Sequence, residues 1–215
     1  MPESKWIRPT ASVAPAIPPL LMPQPAIAPL VPPLHVVDLM TASGSAAFGA
    51  RWKAKEAKIV ECPALSDAMP EFTRTYDIEP HAELSGFDDG DWPEVAASDL
   101  GAKRGGGMVS FFWFRTTLSI PANAAGFEAA GAMAVLRVNI DDYAEVWVNG
   151  EMPRASGRPS PGAIQGFNMP HRLVLASTVA PGEKFEIAVF AINGPISAAP
   201  ANFLWFREAK VEFYR

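Results

Sequence analysis

An all-β fold, an antiparallel two-sheet sandwich, is what this 215-residue sequence predicts. Three observations lead there. After residue 35, β-branched and aromatic runs recur between Gly, Pro and Asn clusters, the pattern of strands and their turns. No regular helical segment separates these runs, which argues against the crossover connections that a parallel sheet requires. Asn149-Gly150 directly follows Val146-Trp147-Val148, and Asn-Gly suits a type I′ hairpin because both central residues need φ > 0.

Residues 1–35 read as a separate piece of chain. Ten of the 22 prolines lie between Pro2 and Pro33. Proline lacks an amide hydrogen and disfavours helix at the residue before it, so this arm is expected to be extended and polyproline-like. Its Ala, Val, Ile, Leu and Met content is unlike that of a solvated linker. It reads either as a loose tail or as an arm docked on its own domain or a neighbouring subunit, making a homo-oligomer. Val13–Leu34 is apolar, yet prolines leave no run near the ~20 helix-forming residues a membrane span needs. Glu3 beside Lys5 and Arg8, with the apolar stretch broken by prolines, disagrees with a secretory signal. A cytoplasmic location is expected, with periplasmic or secreted as the alternative.

The body, residues 36–215, carries the strands. Ala47–Lys58 has some helical composition and is expected as a short satellite. Lys58–Glu61, the region near Thr73–Ile78 and Arg172–Leu175 read as short strands. Met108–Ile120, Met133–Val148, Lys184–Ile192 and Asn202–Tyr214 read as long ones. Period-two alternation then sorts the faces. Leu136, Val138, Ile140, Asp142, Ala144, Val146 and Val148 fall on one side and read as core, with a bend at Asp141-Asp142 able to split the run and reset the register. Arg137, Asn139, Asp141, Tyr143, Glu145 and Trp147 fall on the other. In Phe111–Ile120 the same test groups Phe112, Phe114, Leu118 and Ile120, leaving Phe111, Trp113 and Arg115 opposite.

Composition excludes several classes. A net charge of −5 and a pI near 5.2 argue against a nucleic-acid binder, which needs a basic surface to release counterions. Cys62 is the single cysteine, so neither an internal disulfide nor a multi-cysteine metal site can form. Arg104-Gly105-Gly106-Gly107 lacks the spacing of a phosphate loop, and no Gly-x-Ser-x-Gly elbow is present.

Phe87-Asp88-Asp89-Gly90-Asp91-Trp92, Phe112-Trp113-Phe114-Arg115, Asp141 through Gly150 (DDYAEVWVNG) and Ala180-Pro181-Gly182-Glu183 resemble the jelly-roll sugar-binding domain of family-two glycoside hydrolases. That domain is one of the galactose-binding-like sandwiches. Thr75-Tyr76-Asp77, Pro80-His81-Ala82, Gly166-Phe167-Asn168, His171-Arg172 and Ala188 through Pro195 resemble the domain that precedes a gluconolactonase-type propeller in some bacterial proteins. The resemblance implies a jelly roll that binds a carbohydrate or another small polar ligand and works in an assembly. No propeller sequence is present in these residues, so lactonase activity is not implied. The proline arm has no counterpart in either family.

Candidate chemistry gathers on the polar, aromatic face. Trp113, Tyr143, Trp147 and Trp205 could form a stacking platform, although large aromatics also build cores. Arg115, Arg154 and Arg172 could hold an anionic or carbonyl group, and Asp141, Asn168 and His171 complete the ligand-binding candidates. The alternative to a binding module is a hydrolase or lyase, with His81, Tyr143 and Glu145 as the acid–base group. A third reading is an oligomeric scaffold subunit. The three histidines, at positions 35, 81 and 171, show no metal spacing, and no cofactor is expected. Asp88, Asp89 and Asp91 allow a structural calcium or, as in the resembling domains, a corner in which Trp92 packs.

Overall fold

A computed structural model describes residues 28–64, 73–106, 109–152, 154–155, 158–159, 164–166, 168–194 and 202–215, with the backbone alone at 154–155, 158–159 and 164. Most of the expected arm, residues 1–27, lies outside the described residues. The chain joins the fold where the Leu34 amide donates to the Phe213 carbonyl at 2.8 Å. Just before this point Leu30 is 96% exposed.

The elements in chain order are β1 (His35–Asp38), α1 (Ala42–Ala47), β2 (Trp52–Glu56), β3 (Lys58–Pro63), β4 (Arg74–Glu79), β5 (Glu94–Val95) and β6 (Phe111–Ser119). There follow β7 (Asn123–Ala124), β8 (Phe127–Glu128), β9 (Met133–Asp141), β10 (Tyr143–Val148), β11 (Arg154–Ala155), β12 (Arg158–Pro159) and β13 (Ile164–Gln165). The last three are β14 (His171–Ala176), β15 (Lys184–Ile192) and β16 (Trp205–Tyr214). Two antiparallel sheets stack face to face, one in the order β1-β16-β9-β14 and the other in the order β13-β10-β15-β6-β2-β5. The architecture is an all-β sandwich, as the strand pattern predicts.

The expected helix over Ala47–Lys58 is misplaced. Helix α1 starts earlier, capped by the Thr41 hydroxyl, which accepts from the Gly44 amide at 3.0 Å. Trp52–Glu56 is instead a strand that buries Trp52 and Ala54. Its alternation outweighs the helix propensity of Lys, Ala and Glu, because pairing with β6 offers Trp52 a place in the core.

The Met133–Val148 run is two strands rather than one. The chain changes sheets at Asp141-Asp142, with β9 inside the four-stranded sheet and β10 inside the six-stranded one. Core phase survives the crossing: Leu136, Val138 and Ile140 before it and Ala144 and Val146 after it all face the space between the sheets. Asn149 and Gly150 make the expected tight turn with φ of 51° and 80°. At Gly150 a Cβ would also lie 2.7 Å from the Ser85 amide nitrogen, so only glycine fits. Beyond a single bridge at Glu151, pairing with β10 resumes at Ile164–Gln165.

The main core fills the gap between the sheets, with Trp52, Phe114 and Phe206 at its centre. A smaller cluster, Trp113, Phe190, Ala188, Trp92, Ala82 and Ala57, lies on the outer face of the six-stranded sheet. That face is therefore covered in part by the segment carrying Ala82 and Trp92. Trp113 and Arg115, both ligand-binding candidates from the sequence, are only 1% and 5% exposed.

Candidate functional site

Hairpin β3–β4 pairs Ile59 with Ile78 and Glu61 with Tyr76, so the alternating residues Ile59, Tyr76 and Ile78 share one face. On the six-stranded sheet, Tyr143 pairs with Ile192 and Glu145 with Phe190. Together with Asp142 and Gly194 these residues line an open pocket of about 450 Å³, within the range of roughly 300–1,000 Å³ usual for small-molecule sites. The floor is β10 and β15, and the wall is the hairpin.

Within the pocket the Tyr143 hydroxyl donates to Glu145 Oε1 at 2.8 Å. Burial pushes the Tyr143 phenol well above its ordinary pKa, and the hydrogen bond to Glu145 and its charge push it further. The phenol therefore holds its proton and serves as a donor rather than as a titrating acid. Burial, and then Asp141, raise the Asp142 carboxyl, while the Gly194 amide donates to its Oδ2 at 3.1 Å. Tyr76 is 68% exposed at the rim.

Of the acid–base group suggested by sequence, Tyr143 and Glu145 meet in this pocket and His81 does not line it. The His81 ring lies 3.3 Å from Asp77 and 3.1 Å from Glu83. Trp113 packs on Phe190 with ring centroids 5.3 Å apart. Arg115 donates to Asp89 at 3.0 Å and to the Ala82 carbonyl, so its guanidinium is committed to the fold. Asp141 is buried and pairs with Arg207. His171 is buried in β14, and Asn168 turns the chain at φ 58°, its carbonyl accepting from Asn139 at 3.0 Å.

Arg172 lies on the other sheet and donates to Glu212 at 3.0 Å and to the Tyr214 hydroxyl. The Trp205 ring sits under Lys103 Nζ at 5.1 Å and is not among the residues that line the pocket. Arg154 belongs to a strand whose side chains are outside the described residues. Sequence reasoning missed Ile59, Tyr76, Ile78, Phe190 and Ile192 as site residues. The period-two spacing of Tyr76 and Ile78 was the available signal, but nothing local says which sheet the hairpin faces.

The Asp88–Trp92 stretch forms a corner. Asp89 takes Lys53 at 2.8 Å and Arg115 at 3.0 Å, Asp91 takes Lys55 at 3.1 Å, and Asp88 accepts from the Gly90 amide at 2.9 Å. Trp92 meets Phe87 edge-on at 5.5 Å. The three carboxylates thus serve different partners, and among the described residues no group of three His, Cys, Asp or Glu is placed to hold a metal. The adjoining pocket of about 440 Å³, lined by Arg51, Lys53, Asp89 and Glu94, is walled by charges that pair with one another.

Burial would raise the Asp89 carboxyl, but Lys53 and Arg115 outweigh it and hold it below the ordinary range. At Glu212, 3% exposed, burial is likewise outweighed by Tyr214, Arg172 and Arg137. A depressed carboxylate contributes stability above its unfolded pKa and loses it as pH falls through the folded value. The unfolding midpoint is therefore expected to drop as pH is lowered below about 4, and Asp89→Asn is expected to flatten that drop. Denaturant titrations between about pH 5 and 2.5 check this; a wild-type midpoint that does not move contradicts it.

The two stacked sheets and the pocket on the outer face of one define the class: an all-β sandwich with an open small-molecule-sized site. No model of a known protein family matches the chain, and no curated protein matches it. Similar solved structures are glycoside hydrolase chains. Bacteroides uniformis β-glucuronidase 2, covalently bound to cyclophellitol-6-carboxylate aziridine, is 16% identical with a TM-score of 0.39, over 75% of this chain and 18% of that one. A Faecalibacterium prausnitzii β-glucuronidase is 15% identical with a TM-score of 0.39, over 76% and 31%. A Kluyveromyces marxianus β-glucosidase in complex with glucose is 13% identical with a TM-score of 0.33, over 80% and 18%. The chain spans less than a third of the length of each.

Proposed function

We propose that the protein is a carbohydrate-binding sandwich module of the jelly-roll, galactose-binding-like kind, holding a sugar between hairpin β3–β4 and the outer face of β10 and β15. The observation that carries this reading is the pairing of an exposed Tyr76 ring with the Tyr143–Glu145 hydrogen bond in one pocket. Sugar C–H faces stack on aromatic rings, and hydroxyls donate to a carboxylate whose second oxygen has no hydrogen-bond partner among the described residues. Ile59, Ile78 and Ile192 supply the apolar wall on which the ring body rests. The sequence resemblance to the sugar-binding domain of family-two glycoside hydrolases supports the same reading.

Binding rather than acid–base catalysis is the function favoured, because His81 is held by Asp77 and Glu83 and Tyr143 keeps its proton. Calorimetry against mono- and oligosaccharides, aldonolactones and uronic acids tests the proposal. At least one of them is expected to bind at millimolar concentration or better. Tyr76→Ala is expected to weaken that binding by about fivefold, roughly 1 kcal/mol, with an unchanged melting temperature, since the ring is exposed. No heat with any of these ligands would overturn the reading.

A further inference from the structure

The pocket's charge narrows its ligand, on the footing of the carbohydrate reading above. Among the described residues that line it, the ionisable groups are two carboxylates, Asp142 and Glu145, and two phenols, Tyr76 and Tyr143; no Lys, Arg or His contributes. Glu145 receives only a neutral hydroxyl in the hydrogen bonds described, and Asp142 only a backbone amide. Arg207, which acts on Asp142, is paired with Asp141 and pulls the Asp142 carboxyl down less than burial and Asp141 push it up. Among the described residues, Glu145 is thus left without an ion-pair partner, beside two aromatic rings whose faces attract cations.

We propose that the pocket selects a sugar bearing a protonated amine, an amino sugar, over neutral and anionic sugars. The ammonium would sit between Glu145 and Asp142 with the pyranose ring against Tyr76. A uronate would bring a third negative charge into the same space and would be disfavoured. The ammonium would favour the charged form of Asp142, opposing the burial and the Asp141 carboxyl that raise it.

Calorimetry on the full chain with glucosamine, glucose, N-acetylglucosamine and glucuronate at matched pH and salt tests this. Glucosamine is expected to bind about tenfold more tightly than glucose, which is ~1.4 kcal/mol. N-Acetylglucosamine, which keeps the nitrogen and loses the charge, is expected to fall back to the level of glucose or weaker, and glucuronate to be weakest. Glu145→Gln is expected to shrink the glucosamine preference to about threefold or less while glucose binding persists. Asp142→Asn gives the same readout at the other carboxylate if the first variant does not fold. Equal binding of glucosamine and glucose, or a preference that survives both variants, overturns the inference and leaves the carbohydrate reading standing. Absence of binding by every sugar defeats both.

Discussion

Phe206→Ala is expected to lower the stability of the fold by about 4 kcal/mol, within the 3–5 usual for truncating a buried phenylalanine. Phe206 is 1% exposed. Its ring meets Trp52 edge-on at 5.3 Å and Phe114 at 5.1 Å. Phe206 belongs to the four-stranded sheet, whereas Trp52 and Phe114 belong to β2 and β6 of the other. The substitution thus opens a cavity at the joint between the sheets, where close-packed neighbours relax only in part. It also removes two edge-to-face contacts, each adding about 0.5–1.5 kcal/mol beyond area burial. Urea unfolding followed by circular dichroism should show the midpoint falling with an unchanged slope. A loss below about 1 kcal/mol would mean that the ring does not bridge the sheets as described.

Arg115→Ala is expected to cost about 3 kcal/mol. The guanidinium is buried between Asp89 and the Ala82 carbonyl, and its planar face lies 5.3 Å from the Phe87 ring. Removing it leaves Asp89 with Lys53 alone and the Ala82 carbonyl without this donor. Breaking a buried pair typically costs 3–5 kcal/mol; the partial exposure of Asp89 places this case at the lower end. The consequence is local as well as global. The segment carrying Ala82, Phe87 and Trp92 is the outer cover of Trp113, so the emission of Trp92 and Trp113 should shift to longer wavelength under native conditions. Arg115→Lys is not expected to restore stability, because an ammonium is a point charge and cannot span both acceptors in one plane. Full rescue by lysine would show that charge alone holds the cover down.

The strands were legible because their signal is local. Period-two alternation named the core face of residues 136–148 before and after the crossing, and the turn at Asn149-Gly150 follows from the φ that those residues tolerate. The Asn202–Tyr214 run was harder. Leu204 and Phe206 face the core at even positions, and Ala209, Val211 and Phe213 at odd ones. A β-bulge between Phe206 and Glu208 changes the phase and frees Arg207 to reach Asp141. The exchange of sheets at Asp141-Asp142 was legible only as a bend, because a change of sheet leaves the alternation intact.

For the site, residue chemistry pointed to the right strand and to the wrong company. Tyr143 and Glu145 were singled out because they project from the polar face of β10, and they do meet in the pocket. Trp113 and Arg115 project from the same side of the same sheet yet are sealed under residues that lie more than twenty positions earlier in the chain. Tyr76, Ile59 and Ile78 close the pocket from a hairpin whose pairing gives its own faces but not its docking partner.

The sequence by itself determined the all-β class, the four long strand regions and the inward face of most of them, since backbone pleat and turn preference are properties of neighbouring residues. Tertiary structure alone decided which outward residues stay outward. Burial of an outer face depends on what a distant segment lays across it: the corner around Trp92 covers one part of the six-stranded sheet, and hairpin β3–β4 leaves an open pocket over another.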